Sequence, residues 1–205
     1  VSPVPAASGP LPNGLVLVST PIGNLGDISL RAVAVLRAAD LVLCEDTRTT
    51  ARLLREYSIT TKTAALHEHN EDSRIESVLA LLRAGKTVAL VRDAGTPLVS
   101  DPGYKLIREC VAEGVAVTTL PGASAPLVAL VLSGLPTDRF LFAGFLPNKS
   151  SARRATAGEL KGVPATLVFF ESPQRLPESL ADLADILGPR EAAVARELTK
   201  LYEEV

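Results

Sequence analysis

The chain has 205 residues, 47% of them hydrophobic, a formal net charge of −2 and two cysteines, Cys44 and Cys110. This is material for one large or two modest buried cores, and it argues against global disorder, a disulfide framework and a structural zinc. No apolar run approaches the roughly 20 residues that cross a bilayer. The N-terminus shows neither the basic start nor the apolar region of a secretion signal, so the expected compartment is a reducing cytoplasm.

Residues 1–13 carry Pro3, Pro5, Pro10 and Pro12 among small residues and predict a flexible tail. Strands and helices then alternate. Residues 15–19 are a short apolar run of strand length. Residues 28–38 have Leu30, Val33, Val35 and Leu36 at helical spacing, with Asp27 as the expected N-cap. A strand at 41–44, a helix at 49–57 and a strand at 63–66 follow. Residues 71–84 place Ile75, Val78, Leu79 and Leu82 on one helical face and stop at Gly85. Then come a strand at 87–91, a helix at 104–112 closed by Gly114, a strand at 115–120 and an apolar helix at 123–132 closed by Gly134.

Continuous apolar strands alternating with amphipathic helices predict an α/β unit with a mainly parallel sheet covered on both faces. A second series starts after Leu135–Pro136, with strands expected at 140–143, 166–170 and 192–195 and helices near 152–160 and 178–187. The expected division is therefore a first α/β domain over 14–135 and a second over 136–205. The chain stops a few residues past its last expected strand, so this second domain is expected to be incomplete.

Ligands of parallel α/β sheets sit beyond the carboxyl ends of the strands. Three loops there are distinctive. The first strand leads into Thr20-Pro-Ile-Gly-Asn-Leu-Gly-Asp27, which is neither a GxGxxG nor a Walker loop. The fourth leads into twelve residues from Arg92 to Gly103, long for a strand–helix connection. Its end reads as Asp101 capping a helix with Pro102 at the first helical position. Its start, Gly95-Thr96-Pro97, offers bare backbone and a hydroxyl. The fifth strand gives Pro121-Gly-Ala-Ser-Ala125.

With these loops, the segments TPIGNLGDISLRA, LCEDTRTT, HEHNE, VRDAGTPLVSDPGY, LPGASA, AGFLPNK, FFESPQRL and ARELTKLYEE, in that order from Thr20 to Glu204, resemble the tetrapyrrole-methylase superfamily. Within it they resemble the branch that methylates small-subunit ribosomal RNA. The resemblance implies two α/β domains with the methyl donor, S-adenosylmethionine, in the cleft between them. It implies donor contacts at Ile22, at Gly95, Thr96 and Val99, and at Ser124 and Ala125. Relatives acting on tetrapyrroles often carry an acid where this chain has Thr96, a departure that favours the RNA branch. The implied reaction moves the methyl group to the ribose 2′-hydroxyl of a cytidine in the decoding region of 16S ribosomal RNA. The implied assembly is a homodimer, with no membrane association.

An alcohol acceptor must lose its proton, so a general base is expected. Glu45, Asp46 and Asp93 stand at strand mouths, with Arg48 and Arg92 beside them; each also reads as a cap or an ion pair, and Asp93 is preferred. His67 and His69 form an HxH pair, but no third ligand lies near them, and no metal is expected. The net charge of −2 requires any RNA contact to be local. Residues 148–161 set Lys149, Arg153, Arg154 and Lys161 against Glu159 alone, and Lys149, Arg153 and Arg154 are the expected RNA contacts. Arg48, Arg52 and Arg55 are the alternative. Two other readings stay open: a methylase of a small molecule such as a tetrapyrrole, and a catalytically silent RNA-binding assembly factor.

Overall fold

A computed structural model describes residues 13–67, 70–99 and 103–205. The proline-rich tail before Asn13, His69 of the HxH pair, and the expected cap Asp101 with Pro102 lie outside the described residues. The chain divides into two compact units, residues 1–124 and 125–205.

The first unit is a five-stranded parallel sheet: β1 (Gly14–Val18), β2 (Leu41–Cys44), β3 (Thr63–Ala65), β4 (Thr87–Val91) and β5 (Val117–Leu120), in the order β3–β2–β4–β1–β5. The helices are α1 (Leu30–Ala38), α2 (Thr47–Glu56), α3 (Glu71–Arg83) and α4 (Tyr104–Ala112). Side chains alternate across each strand, which splits the core in two. Val16, Val18, Val42, Cys44, Ala89 and Val91 pack with Val35 and Leu36 of α1 and Leu54 of α2. Leu15, Leu43, Val88 and Leu90 pack with Val78 and Leu79 of α3 and Leu106 and Cys110 of α4. Each fully buried leucine or valine contributes roughly 1.5–3 kcal/mol relative to exposure.

The layering follows from right-handed crossovers. The chain moves one way along the sheet through α1 and α2, then reverses through α3 and α4, so the two helix pairs cover opposite faces. The loops leaving β1 and β4, neighbours in the sheet, therefore depart to opposite faces. Such a switch point is where an open parallel sheet admits a ligand.

One expected cap changes. Asp27 belongs to a single 3₁₀ turn, Leu25–Asp27, and Ser29 is the N-cap of α1, its hydroxyl accepting from the Ala32 amide at 3.1 Å. The α4 helix starts at Tyr104 behind Gly103, and its Leu106 amide is satisfied by the buried carboxylate of Glu71 at 3.1 Å. Sequence alone misses that cap because the acceptor comes from α3, thirty-five positions upstream.

The second unit holds α5 (Ala125–Leu132), β6 (Phe140–Phe145), α6 (Ser150–Leu160), β7 (Thr166–Phe170) and α7 (Leu176–Leu187), with β6 and β7 parallel. The division falls at 124/125 rather than at 135/136 because α5 packs on β7. Residues 192–195, expected as a strand, form no ladder among the described residues. They run along a cavity of about 690 Å³ that Leu130, Leu146, Phe169 and Leu183 also line. The chain then turns back, bridging Arg196 to Glu204.

Candidate active site

Beyond the carboxyl ends of β1, β4 and β5, three loops are tied into one knot. Thr20 and Gly95 exchange backbone hydrogen bonds, Thr20 N to Gly95 O at 3.0 Å and Gly95 N to Thr20 O at 3.1 Å. The Thr20 hydroxyl donates to the Arg92 carbonyl at 3.0 Å, closing the base of the β4 loop. The Ser19 hydroxyl lies 3.1 Å from the Leu120 carbonyl and 3.2 Å from Thr96 Oγ1, and Thr96 donates to the Ala123 carbonyl at 3.1 Å. Ser19 and Thr20 are buried, so these bonds form in a low-dielectric setting where leaving them unmade would be costly.

Two glycines let the loops approach. Gly95 has φ +81°, a region that favours glycine, and a Cβ there would stand 3.3 Å from Ile22 Cγ2 and 3.6 Å from the Ala123 carbonyl oxygen. At Gly122 a Cβ would sit 2.6 Å from the Ser19 Cβ, closer than two carbons tolerate. Ile22 and the Ala123 carbonyl thus close in on the side-chain-free Gly95 at the switch point.

The expected donor contacts fall as follows. Ile22 and Gly95 are brought together. Thr96 is close by, but its hydroxyl is used between Ser19 and Ala123, so it holds the knot. Val99 is exposed further along the β4 loop, after Leu98, a non-glycine residue at φ 72°. Ser124 follows the knot directly, and Ala125 opens α5. Ser19 and Gly122 were missed, since a serine ending a strand and a glycine after a proline carry no signal of their mutual contact.

The three candidate bases differ in what they already hold. Glu45 pairs with Arg92 at 2.8 Å. Asp46 caps α2 through the Arg48 amide at 2.8 Å and grips the Arg48 guanidinium with both oxygens. That hydrogen bond from the Arg48 side chain, joined by the amide, lowers the Asp46 carboxyl to about 2, far below what a base working near neutrality needs. Asp93 is exposed and, among the described residues, accepts only the Asp46 amide, at 3.3 Å on one oxygen. Of the three it is the carboxylate that carries no ion pair among the described residues.

After β3, His67 donates its amide to the Asn70 side chain at 2.9 Å, and Asn70 in turn donates to the Ala65 carbonyl at 3.1 Å. This closes the loop locally.

The expected RNA patch is corrected in part. Arg153 is 1% exposed: its guanidinium pairs with Asp182 at 2.7 Å and lies 4.0 Å from Glu178. Arg154 pairs with Asp182 at 3.2 Å and Asp185 at 3.0 Å. These acids reside on α7, some thirty residues on, so counting charge along α6 alone overstated its surplus. Only Lys149, exposed at the N-cap of α6, keeps the expected placement.

Comparison with known proteins bears on this geometry. The family model for tetrapyrrole (corrin/porphyrin) methylases matches residues 14–205. The protein named ribosomal RNA small subunit methyltransferase I from Mesorhizobium japonicum is 56% identical over 197 residues, covering 96% of this chain and 67% of that protein. Proteins of the same name from Micromonospora olivasterospora and Vibrio cholerae are 54% and 51% identical, covering 93% and 95% of this chain and 61% and 69% of theirs. The chain thus spans about two thirds of the length of these relatives. Among solved structures, the cobalamin biosynthetic enzyme cobalt precorrin-4 methyltransferase aligns with a TM-score of 0.68 at 18% identity, covering 93% of this chain and 82% of that one. Diphthine synthase aligns with a TM-score of 0.66 at 18% identity, covering 83% and 70%. These two likenesses speak to fold alone.

Proposed function

The chain belongs to the tetrapyrrole methylase family, and from that premise we propose that it transfers a methyl group from S-adenosylmethionine to small-subunit ribosomal RNA. It is an S-adenosylmethionine-dependent ribosomal RNA methyltransferase, its acceptor the ribose 2′-hydroxyl of a cytidine in the decoding region of 16S RNA. The observation that supports the donor site is the convergence of Ile22 and the Ala123 carbonyl on Gly95, which carries no side chain, at the switch point of the sheet. A carbonyl dipole suits a cationic sulfonium without adding a charge, and apolar atoms suit the flanks of an adenine.

Bound there, S-adenosylmethionine supplies a methyl carbon activated by its positive sulfur. Ile22, Gly95, Val99, Ser124 and Ala125 would hold it, with Thr96 and Ser19 fixing the Ala123 carbonyl in place. Displacement at carbon requires the acceptor oxygen in line, and a rigid knot of loops supplies such positioning. Asp93 is the group proposed to take the acceptor proton, because its second oxygen is not engaged by the α2 cap. Glu45 and Arg92 neutralise one another beside it. The protein works in the cytoplasm, as a homodimer.

The test is transfer of an isotopically labelled methyl group by the full-length protein to 16S RNA, free and in the small subunit, followed by mass mapping. One ribose-methylated cytidine in the decoding region is expected. Methylation on a base, or transfer to a tetrapyrrole in place of RNA, would refute the proposal.

A further inference from the structure

The two helical layers of the first unit carry very different charge. The α1 and α2 helices hold five arginines, Arg31, Arg37, Arg48, Arg52 and Arg55, against the single acid Glu56. On the opposite face, α3 and α4 balance four bases against four acids. There Arg83 is tied to Glu76 and Glu113, and Lys105 to Asp72. Among the helices of the first unit, the surplus of positive charge is therefore on one face of the sheet.

On α2 the arginines recur at intervals of four and three residues. Arg48, Arg52 and Arg55 therefore share the exposed side of the helix, while Thr50, Leu53 and Leu54 are buried against the sheet. They span about 10 Å at a rise of about 1.5 Å per residue. Arg48 is held by Asp46, but Arg52 and Arg55 make no ion pair among the described residues. The helix also begins at the site itself: the amide of its cap residue, Asp46, bonds to the Asp93 carboxylate.

We infer that the exposed arginine face of α2 is the surface on which the RNA strand docks, with Arg52 and Arg55 binding its phosphates. This deepens the proposed function and rests on it. Guanidinium groups pair with phosphate through two parallel hydrogen bonds, and here neither has a carboxylate to give up first. That is the contrast with Arg153 and Arg154, whose release would strip Asp182 of its partners. Phosphates held along α2 would lead the strand toward the carboxyl edge of the sheet where Asp93 stands.

The experiment compares full-length wild type, Arg52→Ala/Arg55→Ala, and a control pair, Arg74→Ala/Arg83→Ala, which removes equal charge from the opposite face. The readouts are affinity for a decoding-region fragment of 16S RNA across a salt series, and affinity for S-adenosylmethionine. The α2 pair is expected to weaken RNA binding roughly tenfold or more and to flatten the salt slope by about 1.4–1.8, two phosphate contacts' worth. Donor affinity and the control pair's RNA binding should match wild type. An α2 pair that binds RNA like wild type overturns the inference while leaving the proposed function standing. A control pair that loses as much affinity as the α2 pair also overturns it, since binding would then be diffuse. Wild type that binds anionic phospholipid vesicles but not this RNA overturns both.

Discussion

Thr20 and Gly95, at the ends of two neighbouring parallel strands, face each other in antiparallel register through a reciprocal pair of hydrogen bonds of 3.0 and 3.1 Å. A parallel sheet thus ends in a short antiparallel clasp where its loops diverge to opposite faces. The clasp fixes the spot that the donor is proposed to occupy.

Replacing Gly95 by Val is expected to abolish binding of S-adenosylmethionine. The new side chain would start 3.3 Å from Ile22 at φ +81°, a conformation that costs roughly 1–2 kcal/mol for a residue bearing a Cβ. Calorimetry with the donor, alongside a thermal melt showing a cooperative transition, checks this. Wild-type affinity in the variant would remove the clasp from the donor site.

Gly122→Ala should destabilise the first unit by roughly 1–3 kcal/mol, because its methyl group would lie 2.6 Å from the Ser19 Cβ. In a Ser19→Gly background, where that carbon is gone, the same change should cost much less. A double-mutant cycle by denaturant unfolding measures the coupling. Additive effects would mean the two residues do not meet.

The second unit should lose stability in acid. Burial pushes the Asp182 carboxyl up, but hydrogen bonds from Ser150, Arg153 and Arg154 outweigh it and hold the group below its ordinary range. Burial likewise raises Glu171, and Ser179, the Ser172 amide and Arg175 bring it down. A lowered folded pKa stabilises fully above the unfolded value near 4, and that stability is lost as pH falls through the folded value. Melting temperature measured from pH 7 downward should drop steeply below about pH 4. Asp182→Asn should flatten that drop. Arg153→Ala should destabilise well beyond the ~0–1 kcal/mol of an exposed pair, since it removes a buried guanidinium that Asp182 grips and leaves its packing space empty.

Both thiols should be inert in the folded protein. Burial raises Cys44 and pushes Cys110 up to about 11, so almost no thiolate exists near pH 8 and neither sulfur is exposed. A thiol-specific reagent should titrate no group at pH 8 in buffer and two in denaturant. Prompt reaction of either cysteine in the native state would contradict the packing of Cys44 under α1 and α2 or of Cys110 in α4.

Much of this molecule was legible in one dimension. Hydrophobic patterning placed the strands at Leu41–Cys44 and Thr87–Val91, because burial on both faces of a sheet demands uninterrupted apolar runs, and it also placed the strand at Thr166–Phe170 and the helix at Tyr104–Ala112. The order of eight motifs likewise pointed to the family, and the resemblance implied donor contacts at Ile22, Gly95, Thr96, Val99, Ser124 and Ala125. What tertiary structure alone decided were pairings between positions far apart in the chain. Glu71 caps α4, Ser19 excludes a side chain at Gly122, and Thr96 is turned inward by Ala123. Asp182 claims Arg153, which composition along α6 had left free for RNA, while Arg52 and Arg55 of α2 have no ion pair among the described residues. A residue's type states which bonds it can make; only the fold, by setting what lies within about 3 Å, determines which are already made.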